Sequence, residues 1–154
     1  MTKLRRILLA EDNENDLELT LTALREKRVA NEIVVVRDGA QAWEYLCAQG
    51  PYTGRSEGNP AVVLLDLKLP KVDGLEVLKA VRETAELRSL PIVMLTSSHE
   101  EGDVVKSYEL GVNAYVVKPV EFKAFVSAIA DLGVFWAVLN EPPPGSAKAA
   151  RRME

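Results

Sequence analysis

The chain has 154 residues with 47% hydrophobic and 27% charged content, enough for one domain with a proper core and short of two. A net charge of −4 excludes a nucleic-acid binder that works by broad phosphate neutralisation. The single cysteine, Cys47, excludes an internal disulfide and a cysteine-rich zinc site, and fits a reducing compartment.

From the N-terminus, the apolar run Ile7 to Ala10 stops at Glu11 and Asp12, too short for a signal sequence. No stretch approaches the length of a membrane span, so a cytoplasmic protein with no membrane partner is expected. Short, apolar, β-branched-rich runs then recur at Ile33–Val36, Ala61–Leu65, Ile92–Leu95 and Ala114–Val117. Runs apolar at nearly every position predict strands buried on both faces, as in a parallel sheet covered by helices.

Between the runs, apolar residues repeat at helical spacing. The predicted inward faces are Leu17, Leu21 and Leu24, then Trp43 and Leu46, then Leu75, Leu78 and Val81 or Arg82, then Val104, Val105 and Tyr108. A last helix starts near Phe122 and carries Val126, Ile129, Gly133 and Trp136 on its inward stripe. Strand and helix alternating through five repeats predict an α/β, doubly wound parallel sheet with right-handed crossovers. Gly50 to Pro60 predicts a long loop, and Asn140 to Glu154, with Pro142-Pro143-Pro144-Gly145, predicts a disordered basic tail. Residues 4–139 are thus expected to form the domain and 140–154 the tail, with no room for a separate output domain.

Polar residues interrupt the apolar runs at their carboxyl ends: Glu11-Asp12-Asn13, Asp66, Thr96-Ser97-Ser98 and Lys118. Open α/β sheets bind ligands there, where the winding reverses. With strand order 2-1-3-4-5, Glu11, Asp12 and Asp66 converge, flanked by Thr96 and Lys118. Clustered carboxylates need a cation or raised pKa values, and hard oxygen ligands beside phosphate suit Mg²⁺. Metal and Lys118 would neutralise a transferring phosphoryl group, Thr96 would donate to one of its oxygens, and the Asp66 carboxylate would be the nucleophile. Each residue alone has a plainer reading: Asp66 or Thr96 as a cap, Glu11-Asp12 as first-turn charge, Lys118 as a solvated cation. The coincidence of all of them at one sheet edge favours chemistry.

These motifs resemble the receiver domains of bacterial two-component response regulators. The resemblance rests on Ile7-Leu8-Leu9-Ala10-Glu11-Asp12-Asn13, Leu64-Leu65-Asp66-Leu67, Leu69-Pro70 with Asp73-Gly74, Leu95-Thr96 and Lys118-Pro119. It implies a flavodoxin-like fold, phosphorylation at Asp66, and Mg²⁺ on Glu11, Asp12, Asp66 and the backbone carbonyl of Lys68. Thr96 and Tyr115 match the switch hydroxyl and switch aromatic. A sensor histidine kinase is the implied phosphoryl donor. Val36-Arg37-Asp38-Gly39, the long loop, Lys106-Ser107-Tyr108-Glu109-Leu110 and Phe135-Trp136 also look like regulators partnered with bacterial phytochromes.

His99 and Cys47 are expected to be an exposed loop residue and an inert packing residue, and Trp43 a core residue. Val134, Phe135 and Val138 fall off the inward stripe of the C-terminal helical extension, which suggests a homodimer or kinase contact there. Rival functions fit less well. A flavin carrier needs small residues where Glu11-Asp12 stand, an Asp-nucleophile phosphatase needs an acid where Lys68 stands, and a degenerate receiver scaffold would not need the intact acidic set.

Overall fold

The computed structural model describes residues 5–26, 31–56, 58–97, 101–118 and 123–124. Five strands form one parallel sheet in the order β2-β1-β3-β4-β5, namely β1 (Ile7–Ala10), β2 (Ile33–Val36), β3 (Val62–Asp66), β4 (Ile92–Thr96) and β5 (Ala114–Val117). The order reverses direction at β1, which pairs with both β2 and β3 (Ala10 opposite Val36 and Leu65), so the crevice expected between β1 and β3 is present.

Helices α1 (Glu14–Glu26), α2 (Gly39–Cys47), α3 (Gly74–Glu83) and α4 (Glu101–Glu109) join the strands. Alternation along each strand divides the core. Leu8, Ala10, Val63, Leu65, Ile92 and Met94 face one layer with Leu46, Val77, Leu78 and Val81, whereas Ile7, Leu9, Val62, Leu64, Val93 and Leu95 face Leu17, Leu21 and Leu24 of α1. Burial on both faces is why the strands carry almost no polar residue until their last position.

The helix starts are set by side chains. Asp38 and Asp73 accept from the backbone N–H groups of Gln41 and Glu76, and Asn13 accepts from that of Asp16, satisfying donors that a helix leaves unpaired at its first turn. These caps fix where each helix leaves the strand ends, and so fix the rim of the site.

Two details, on α4 and α2, depart from the sequence expectations, and on α3 an alternative left open is decided. The predicted inward face of α4 is turned: Val105 and Tyr108 are 48% and 52% exposed while Ser107 is buried, its hydroxyl donating to the Asp103 carbonyl. On α3 it is Val81 that enters the core, and half-buried Arg82 reaches away to the α4–β5 turn. Trp43 is only half-buried at the margin of the core, and the buried ring of α2 is Tyr45.

The long loop after α2 is fastened rather than free. Gly50–Tyr52 form a 3₁₀ turn, the Tyr52 ring meets Tyr45 edge-on at 5.1 Å, and the Arg55 guanidinium lies 4.3 Å from the Tyr45 ring while donating to the Tyr45 and Leu46 carbonyls. Cys47 is half-buried against the same core, and burial, partly offset by Arg55, pushes its thiol pKa up, as suits a packing residue. His99, the tail, and the helix face with Val134, Phe135 and Val138 lie outside the described residues. Among the described residues no helix is long and apolar enough to cross a membrane.

Candidate functional site

Each predicted site residue except Tyr115, which lies within β5, is carried by a strand end or the turn after it. Asp66 and Thr96 are the last residues of β3 and β4, Glu11 and Asp12 follow β1, and Lys118 follows β5. The parallel register aligns these ends: Asp66 lies opposite Leu95, and the Lys118 N–H donates to the Thr96 carbonyl at 2.8 Å. Four elements therefore deliver their polar groups to one edge without any distortion of the sheet.

Glu11, Asp12 and Asp66 each offer a carboxylate oxygen within 4.8 Å of the others. Glu11 and Asp66 are buried and Asp12 is exposed, so the group opens to solvent on one side. Burial first, then the nearby Asp66 carboxylate, raises the Glu11 pKa to about 7 against the opposing influence of Lys118. Such crowding of negative charge is what a divalent cation relieves, and the all-oxygen donor set fits one of hard character.

The Lys118 side chain is 7% exposed, and its ammonium donates to Glu11 Oε1 at 2.8 Å, Asp16 Oδ2 at 2.8 Å and Asp66 Oδ2 at 3.1 Å. Burial works against its charged form, but the bonds to Asp16 and Glu11 and the charge of Asp66 more than offset this and hold its pKa above the ordinary lysine value. One buried cation is thus shared among carboxylates just after β1, on α1 and at the end of β3, a charge-assisted arrangement that a lone pair in such a setting would not sustain.

The remaining predicted residues stand around this centre. The Lys68 N–H donates to Asp66 Oδ1 at 3.4 Å, and the Lys68 residue is otherwise exposed. Thr96 is buried beside the Lys118 backbone. Tyr115 lies opposite Met94 in the sheet and packs, half-buried, against the α2–α3 side of the core. It stands next to the site along the sheet and outside the acidic group itself. Sequence reasoning passed over Asp16. It reads as ordinary first-turn charge on α1, and nothing local links it to Lys118, 102 residues away.

The fold, the strand-end acidic group and the lysine define a class of signalling domain. Residues 7–130 match the response regulator receiver domain model, and the chain belongs to that family. Among its relatives, the response regulator Rcp1 of Synechocystis sp. is 39% identical over 130 residues, covering 84% of this chain and 87% of Rcp1. A crystal structure of the Mn²⁺-bound form of Rcp1 superposes with a TM-score of 0.71 at 37% identity, covering 92% of this chain and 99% of that one. The bacteriophytochrome response regulator RtBRR is similar at 71% identity and a TM-score of 0.82, covering 99% of this chain and 92% of RtBRR. AtBRR, another bacteriophytochrome response regulator, is similar at 66% identity and a TM-score of 0.83, with 91% and 100% covered.

Proposed function

We propose that this chain is the phospho-accepting member of a two-component phosphorelay, taking a phosphoryl group on Asp66 from a sensor histidine kinase of the phytochrome type. The observation that carries this is the meeting of Lys118 Nζ with Asp66 Oδ2 at 3.1 Å, Asp66 being one of three carboxylates able to share one cation. The similarity to two bacteriophytochrome response regulators supports the choice of donor. The residue set also suits the cytoplasm, where such a kinase would present its phosphohistidine.

Glu11, Asp12, Asp66 and the Lys68 carbonyl would hold the metal, with Mg²⁺ the physiological choice. Bound there, the ion supplies positive charge to the phosphoryl oxygens. An Asp66 carboxylate oxygen attacks phosphorus in line, the P–N bond of the phosphohistidine breaks, and the imidazole leaves with the electron pair and takes up a proton. The product is an acyl phosphate. Lys118 stabilises the charge on the phosphoryl oxygens, a contribution that needs position more than proton transfer. The Thr96 hydroxyl then donates to a phosphoryl oxygen, and its movement lets the Tyr115 ring turn inward. Phosphorylation acts by favouring one of two surfaces, a population shift. The output is protein–protein contact, with a homodimer through the C-terminal helical extension and no nucleic acid. On this view residues 4–139 are the receiver and 140–154 a tail.

Phosphotransfer profiling tests the donor. Purified histidine kinases of the same organism, first labelled on their own histidine, are mixed briefly with this chain. Rapid transfer from a phytochrome kinase and slow transfer from the others is expected. Equal rates from all of them, or none from the phytochrome, would refute the pairing.

A further inference from the structure

Asp16 belongs neither to the acidic group that could hold a cation nor to the residues proposed for phosphoryl transfer, yet its Oδ2 is as close to Lys118 Nζ as Glu11 Oε1 is, 2.8 Å, and closer than Asp66 Oδ2 at 3.1 Å. An ammonium has three N–H donors, and here each has a carboxylate to point at. Two of those carboxylates, Glu11 and Asp66, are also candidates for cation and phosphoryl group. Asp16 alone has no second task.

Asp16 is itself held. Its backbone N–H donates to Asn13 Oδ1 at 2.9 Å, and the Asn13 N–H donates to Glu11 Oε2 at 3.2 Å. Glu11, Asn13, Asp16 and Lys118 therefore close a ring of hydrogen bonds that ties the first turn of α1 to the residue after β5. The Asp16 side chain is 28% exposed against 7% for Lys118, so it grips the ammonium from the open rim.

We propose that Asp16 is a positioning residue for phosphoryl transfer. It keeps the Lys118 ammonium over Asp66 when Glu11 and Asp66 turn their oxygens to the cation and the incoming phosphoryl group. A lysine stem is long and flexible, and without a fixed anchor its charge would follow whichever carboxylate is free. With Asp16 in place, the N–H that faces Asp66 in the resting protein is already aimed at the position a phosphoryl oxygen takes. This inference rests on the proposed phospho-acceptor role of Asp66.

The test is a double-mutant cycle on the rate of phosphorylation by acetyl phosphate in saturating Mg²⁺, using the full chain, Asp16→Ala, Lys118→Ala and the double variant, with Asp66→Asn as reference. Asp16→Ala is expected to slow phosphorylation roughly fivefold, the scale of coupling between groups in contact. In the Lys118→Ala background the same change should have no effect, because the residue it positions is gone. An unchanged or faster rate in Asp16→Ala, or an equal slowing in both backgrounds, overturns the proposal. Should Asp16→Ala not fold, Asp16→Ser keeps a hydroxyl at the helix start, is too short to hold Lys118, and carries the same expectations. Failure of the underlying reading looks different: Asp66→Asn would then label like the wild type.

Discussion

A Cβ placed on Gly39 would stand 1.7 Å from the carbonyl oxygen of Val72. The start of α2 is pressed against the loop after β3: the Gly39 N–H donates to the Pro70 carbonyl at 3.2 Å, and Lys71, with φ of 67°, reaches back to Asp38 at 3.5 Å. That loop runs from Leu67 to Asp73, and at Gly74, the first residue of α3, an added Cβ would lie 2.3 Å from the Asp66 carbonyl oxygen. Glycine at both places lets one short loop run tight against the proposed acceptor.

Gly39→Ala therefore forces backbone to move rather than a flexible side chain. A loss of about 1–3 kcal/mol in urea unfolding is expected, the usual cost of overpacking, together with weaker Mg²⁺ binding if the Lys68 carbonyl holds the ion as proposed. Unchanged unfolding and metal affinity would mean that the loop yields freely.

Arg82 clamps the opposite end of the molecule. Its guanidinium donates to the carbonyls of Gly111 at 2.7 Å, Arg88 at 3.0 Å and Leu90 at 2.8 Å and to Asn113 Oδ1 at 2.7 Å, joining α3 to the α4–β5 turn. Arg82→Ala should cost about 1–2 kcal/mol, since three of the four bonds are exposed, where water can take the guanidinium's place, and Asn113 Oδ1 still accepts from the Ile92 N–H. Arg82→Lys should recover little of it, because an ammonium cannot reproduce the planar fork. Urea unfolding of both variants decides.

Much of this was open to inspection in the residues themselves, for identifiable reasons. Strands buried on both faces must be apolar throughout, so their ends show as the first polar residue, and Asp66 and Thr96 mark two of them. Bounds agree within a residue, β3 running Val62–Asp66 rather than Ala61–Leu65. What periodicity could not reveal depends on partners far along the chain. Val105 and Tyr108 are apolar yet face outward, because Ser107 satisfies its hydroxyl within the helix and so can take the buried position. Asp16 and Lys118, and Arg55 and Tyr45, likewise meet only once the fold brings them together.

Mg²⁺ should stabilise the folded protein and have no site in the unfolded chain. At a concentration 100 times its Kd the gain is about 2.7 kcal/mol, visible as a higher Tm. Asp12→Ala should lose most of that response, yet be no less stable than wild type in the absence of metal, because it removes one of three mutually repelling carboxylates. Thermal unfolding of both proteins with and without Mg²⁺ measures this, and an identical metal response in the two would exclude Asp12 as a ligand.

The C-terminal extension offers a separate test. By sequence periodicity Val134, Phe135 and Val138 fall off the inward stripe expected of a last helix, and the Pro-rich sequence after them is polar. Burying a side chain such as Phe135 at a symmetric interface contributes about 1.5–3 kcal/mol. Phe135→Asp is expected to give a folded monomer that still accepts a phosphoryl group, against a wild-type dimer in sedimentation. A wild type that stays monomeric at high micromolar concentration would rule out the dimer.

The most direct measurement is the mass of the intact protein after incubation with acetyl phosphate and Mg²⁺. Wild type should gain a single phosphoryl group that is stable to acid and released by base or hydroxylamine, as an acyl phosphate is, and Asp66→Asn should gain none. Undiminished labelling of Asp66→Asn would contradict the assignment of Asp66 as the acceptor.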